Sequence, residues 1–134
     1  MKTKVLFILT LAVAGFMLYS CSTSSENKIA GTWKVEDVIF DSSNPMSEAQ
    51  ILSSKESAKT VSYELMKDHS AKILAGSTVL EGTWEYREAE AGVYMVFTDS
   101  FDTVLIGRYE EGKLINEATR PDIKITTIFV KEEQ

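Results

Sequence analysis

Few residues of this chain have the types that do chemistry: one cysteine, one histidine, a spaced pair of aspartates and a set of alternating aromatics. Cys21 is the sole thiol, so no disulfide forms within the chain and the sulfur stays available as a nucleophile or attachment point. His69 is the sole imidazole, which removes any multi-histidine metal centre, and no His/Cys ligand spacing replaces one. It falls in the turn composition Lys67–Ser70 and is expected to be solvated. Asp99 and Asp102 have the types for paired acid–base carboxylates or for a hard cation. They lie in a linker between strands, where carboxylates are expected to be solvated. Neither a Gly-x-Ser-x-Gly elbow nor a glycine-rich phosphate loop occurs. No nucleophile, metal site or cofactor is expected, and the chain is not expected to be an enzyme. The remaining candidates are Tyr63, Trp84, Tyr86, Met95, Phe97 and Phe129, which either line a ligand cavity or form an ordinary core. Tyr63 and Tyr86 carry hydroxyls that need partners when buried, and a wet or ligand-filled cavity would supply them.

The elements that position these residues follow from the hydrophobic pattern. Gly31–Phe40 opens with Trp33 and Val35 on one face. Val38 and Phe40 are then apolar where Ile39 would continue that face, so a bulge or bend is expected near Glu36-Asp37. Asp41–Asn44 is a turn composition. Pro45 suits a first helical position, and Ser47-Glu48-Ala49-Gln50 has the form of a capping box. One short helix is expected within residues 46–58, with Met46, Ala49, Leu52 and Ala58 as a thin apolar stripe. After Lys59 the chain alternates with period two. Leu80, Gly82, Trp84 and Tyr86 share one face; Glu81, Thr83, Glu85 and Arg87 share the other, the pattern of a half-buried strand. Turns fall at Gly76-Ser77, Glu88–Gly92, Glu111-Gly112 and Thr119–Asp122. About eight strands at short spacing predict an all-β fold, an eight-stranded antiparallel up-and-down barrel with one short helix between strands 1 and 2. A barrel of this size fills its interior with side chains or holds one small ligand.

The N-terminus reads as an address. Lys2 and Lys4 precede Val5–Leu18, which is apolar apart from Thr10 and Gly15. That run matches the hydrophobic region of a secretory signal, about 7–15 residues, better than a membrane span of roughly 20. The run Leu18-Tyr19-Ser20-Cys21 resembles a bacterial lipobox, with a bulky Tyr19 as its departure. The resemblance implies cleavage before Cys21, a diacylglycerol thioether on its sulfur and acylation of its new amine. Ser22 rather than Asp follows the cysteine, which is unlike the usual inner-membrane retention signal and implies the outer membrane. Which leaflet is reached, the periplasmic face or the cell surface, stays open. The expected organisation is a signal peptide at 1–20, a lipidated cysteine and tether at 21–28, and a barrel domain at 29–134. Losing Met1–Ser20 removes two lysines and no acid, so the net charge moves from −6 to −8 over 114 residues. An acidic chain with no basic patch excludes nucleic acid as a partner.

Gly-Thr-Trp occurs twice, at Gly31-Thr32-Trp33 and Gly82-Thr83-Trp84, and holds the only two tryptophans. A Gly-x-Trp at the start of the first strand is the lipocalin signature. With the lipobox, the second copy and the meander, the chain resembles the bacterial lipocalin-like lipoproteins over about Ile29–Lys131. The resemblance implies that the Trp33 indole closes one end of the barrel, that Gly31 allows close backbone approach, and that a late basic residue, Lys131 or Arg120, covers the indole. It departs from the family pattern at Asp68-His69, where Asp-Gly is usual, and in the place of its helix. By analogy with fatty-acid-binding proteins that helix would lid one mouth. The implied function is binding of a small, partly apolar ligand in the cell envelope. The alternative is a filled barrel that binds or inhibits another envelope protein through its loops, with Trp84 the tryptophan expected nearer any ligand.

Overall fold

The computed structural model describes residues 25–133; the signal run Val5–Leu18 and Cys21 lie outside them. Backbone over residues 25–29 is helical and leads into eight strands: β1 (Gly31–Ser42), β2 (Val61–Leu65), β3 (Ser70–Ala75), β4 (Thr78–Arg87), β5 (Gly92–Phe97), β6 (Thr103–Glu110), β7 (Lys113–Arg120) and β8 (Ile123–Lys131). One helix, α1 (Glu48–Ala58), joins β1 to β2. Each strand pairs antiparallel with the next, and β8 returns to β1 to close the barrel. Hairpin-length turns dictate this order, because antiparallel neighbours need only a few connecting residues.

The expected break of parity in β1 is a bulge. Val35 faces Phe129 and Asp37 faces Ile128, so Glu36 is the extra residue and Val38 returns to the inner face. A second bulge lies in the β5–β6 pairing, where Val93 faces Gly107 and Tyr94 faces Leu105, leaving Ile106 unpaired. The helix begins as its composition demands. The Ser47 hydroxyl accepts from Gln50 N at 3.2 Å, and Ser47 N donates to the Gln50 side chain at 3.1 Å. Its apolar stripe, however, buries nothing: no residue of α1 is buried and Leu52 is 61% exposed. The helix is held to β1 by Lys55, whose ammonium lies 3.3 Å from Asp37.

The two ends of the barrel differ. At the end where β1 starts and β8 finishes, Ile29, Trp33, Leu65, Trp84, Val93, Met95, Leu114 and Phe129 pack into one cluster. At the other end two seams part. Strand β1 pairs with β2 only from Gly31 to Lys34, and β6 pairs with β7 only from Arg108 to Glu110. Strand β1 runs on against β8 alone, and α1 lies beside it. The second gap is bridged by side chains.

Candidate functional site

Both Gly-Thr-Trp tryptophans plug the same end. The Trp33 indole N–H donates to the Ile29 carbonyl at 2.8 Å, and the ring meets Tyr109 edge-on. The Trp84 indole N–H donates to the Met66 carbonyl at 2.8 Å. A buried indole needs such a partner, and in each case the carbonyl comes from the segment that covers this end. Glycine serves close approach in both copies. At Gly82 an added Cβ would collide with the Val96 carbonyl oxygen, and at Gly31 with the Lys131 side chain. Gly31 also has φ +147°, which side-chain-bearing residues rarely adopt.

Of the two cations proposed for this end, Lys131 is there. It faces Trp33 in register, lies over Gly31, and its ammonium donates to the Lys28 carbonyl at 3.1 Å. Arg120 pairs with Ile123 beside the opposite turn. His69, expected to be solvated, is half-buried at φ 70°. Its ring stacks on Trp84 with centroids 5.2 Å apart, Nδ1 donates to the Trp84 carbonyl at 3.2 Å, and Nε2 lies 3.3 Å from Glu26. It therefore ties the N-terminal segment to the plug. No sequence pattern pointed to this, because the stacking depends on the β2–β3 turn reaching β4.

Four of the candidate ligand residues lie in the packed half. Trp84, Met95 and Phe129 are almost wholly buried, and Tyr63 stacks on Phe129 with centroids 4.2 Å apart. Tyr86 is partly buried and meets Tyr109 edge-on. The Tyr63 hydroxyl finds its partner inside the protein: it donates to the Ile106 carbonyl at 3.2 Å, and Asn116 Nδ2 donates to the same oxygen at 3.1 Å. The bulge thus turns a carbonyl inward, and two side chains from different strands satisfy it. Burial pushes the Tyr63 phenol well above its ordinary value, since a phenolate there would lose its hydration.

The sixth candidate, Phe97, lies at the other end. Period-two alternation from Trp84, Met95 and Phe129 puts Leu80, Phe97 and Ile125 on the inner face there, and Val104 joins them opposite Met95. Leu80 is 41% exposed and Val104 42%. Phe97 and Leu80, with Glu81, Asp99 and Ser100, line a cavity of about 230 Å³. A second cavity of about 270 Å³ opens at the β6–β7 seam, lined by Leu105, Gly107, Arg108, Ile115, Asn116 and Glu117. Asp99 lines the first of these cavities and Asp102 neither, and both are exposed, as expected of carboxylates in a linker. A larger groove of about 630 Å³ lies outside the plug, between Asn27, Gly31, Leu65, Lys67 and residues 131–133. It is an open space among chain ends and a turn, behind the tryptophans, and none of the six candidates lines it.

An eight-stranded up-and-down barrel plugged at one end by Gly-x-Trp and open at the other is lipocalin-like in fold. Among solved structures, the chain is similar to a DUF4847 family protein from Bacteroides vulgatus, at 14% identity over 78% of this chain and 94% of that one, with a TM-score of 0.49. No family model and no curated protein matches the chain.

Proposed function

We propose that this chain is a lipocalin-like lipoprotein of the bacterial cell envelope, anchored through lipid on Cys21, and that it binds a small, partly apolar molecule in the open mouth of its barrel. The observation that carries this reading is the asymmetry of the inner face. The half beside Trp33 and Trp84 is packed tight, whereas the same face at the far end leaves Leu80 and Val104 two-fifths exposed around Phe97. Apolar side chains on an inner face gain their full stabilisation only when something covers them, about 25 cal/mol per Å² buried. The tether supports the same polarity. Residue 25 leads into the plugged end, so an anchor four positions before it would turn the mouth away from its own membrane.

Protein purified from its host membranes should carry a bound small molecule in native mass spectrometry, and Leu80→Asn, which replaces an apolar wall of the mouth with a polar one, should release it. A bare mass for the wild type would remove this reading. The alternative, a filled barrel that docks on another envelope protein through its loops, draws on one specific observation: Phe101, on the β5–β6 turn, is 79% exposed. Crosslinking in envelope extract would then recover a single stoichiometric partner, lost on Phe101→Asn.

A further inference from the structure

The single histidine of the chain sits where only one of its charge states satisfies every contact. The β2–β3 turn sets the His69 ring on the Trp84 indole, with centroids 5.2 Å apart. Nδ1 lies 3.2 Å from the Trp84 carbonyl, and Nε2 lies 3.3 Å from the Glu26 carboxylate. Both partners are acceptors. A neutral imidazole has one N–H and one lone pair; only the imidazolium donates from both nitrogens. We propose that His69 and Glu26 form a proton-operated clasp, which fastens the segment before β1 to the plugged end when the imidazole is charged and releases it when the imidazole is neutral.

The surroundings favour the closed form when the ring is charged. The Glu26 carboxylate then accepts a charge-assisted hydrogen bond, and the indole face attracts the cation. When the proton leaves, it leaves from Nε2. Nδ1–H keeps the Trp84 carbonyl, while the Nε2 lone pair is left facing a carboxylate oxygen, acceptor against acceptor. Release therefore acts on the segment and spares the plug. Ile29 stays in place, since it is wholly buried and its carbonyl takes the Trp33 indole. Lys131 still holds the Lys28 carbonyl. The part set free is residues 25–27, with the helical turn that Ala30 N closes on the Glu26 carbonyl at 2.9 Å. With the lipid proposed at Cys21, that stretch links membrane to barrel, so a fall in pH stiffens the link until Glu26 itself takes a proton.

The other charged groups around the ring are engaged or point elsewhere. In the turn, the Asp68 carboxylate accepts from Ser70 N at 2.9 Å and from Ser70 Oγ at 2.6 Å. Its neighbour Lys67 lines the outer groove. On β4, Glu85 is held by Arg87 at 2.7 Å. In the segment, Lys28 is exposed. Among the described residues, Glu26 is the carboxylate within ion-pair distance of the ring.

Amide exchange at Ala30 tests this in the protein as purified, in detergent. It is expressed as protection, so that the intrinsic effect of pH drops out, at about pH 5.5 and about pH 8, either side of where histidines ordinarily change charge. Protection should be about threefold higher in acid, as a half-exposed ion pair supplies, with the Trp33 and Trp84 indole N–H signals unmoved. Glu26→Gln should level the two values, because an amide can turn either its oxygen or its nitrogen to the ring. His69→Asn should level them too, and asparagine tolerates the positive φ of this position. Nitrogen NMR of the neutral ring should show the Nδ1–H tautomer. Equal protection of the wild type at both pH values, or a pH dependence that survives in Glu26→Gln, would overturn the clasp. An Nε2–H tautomer would overturn it as well, since the neutral ring would then still hold Glu26.

Discussion

At the residue scale, the two Gly-Thr-Trp copies are one local device used twice, a glycine at a close backbone approach and a tryptophan two residues on that seals an end. Gly82→Ala should test the first half. Its Cβ has the Val96 carbonyl in the way, which is backbone and cannot swing aside, so the β4–β5 ladder must part, at about 3 kcal/mol. Urea unfolding should show that loss. At Gly31 the obstructing group is the flexible Lys131 side chain, and the strain is in φ instead. Tyr63 makes a second prediction. Its phenol is raised above the ordinary 10.0 by burial, so the neutral form is favoured in the folded state. That contribution is fully present below pH 10.0 and is lost as the pH rises beyond it toward the higher folded value. Tyr63→Phe should remove this alkaline loss. At neutral pH it should cost only about 1 kcal/mol, because Asn116 still satisfies the Ile106 carbonyl. Trp33 was legible at the closed end from its resemblance to the Gly-x-Trp signature, whereas Trp84 was expected nearer a ligand and instead packs in the same cluster. That Trp84 shares the end with Trp33 was not legible, since it follows from where the Met66 carbonyl lies, a fact of the β2–β3 turn.

At the element scale, strand alternation, the bulge at Glu36 and the capping box at Ser47 were all legible, because each is a local pattern. The depth of pairing was not. Nothing in the period-two runs of β6 and β7 says that their ladder stops after Arg108–Ile115, and nothing in the stripe of α1 says that Leu52 stays exposed. Both depend on how the whole sheet curls. The helix should therefore behave as a loosely held strap. Ser47→Ala removes a cap worth about 1 kcal/mol to a helix. Amide exchange in α1 should quicken while the global urea midpoint stays in place, since no α1 side chain is buried in the core. The Asp37 carboxylate is held below its ordinary 3.8, first by the Val38 amide and then by Lys55. Its stabilising effect is present above that value and is lost as the pH falls through the lower folded value. NMR of the α1 amides should show the helix loosening in acid, with Asp37→Asn already loosened at neutral pH.

At the scale of the whole molecule, the barrel has a polarity. One end is packed, tied by His69 and Lys131 to the segment that precedes β1; the other is apolar and partly uncovered. The lipid anchor proposed at Cys21 would give that polarity an orientation relative to a membrane. Feeding the host a fatty-acid analogue should label the wild-type protein, and Cys21→Ser should stay unlabelled; equal labelling would remove the anchor. The central claim is that the mouth and not the plugged end holds the ligand. The most direct measurement is hydrogen exchange on protein as isolated from its host, against the same protein stripped of small molecules and refolded. The account predicts protection in the isolated protein at residues 38–42, 78–82 and 97–106, with the Trp33 and Trp84 end unchanged. No difference between the two, or protection confined to residues 27–31, 65–67 and 131–133, would contradict it.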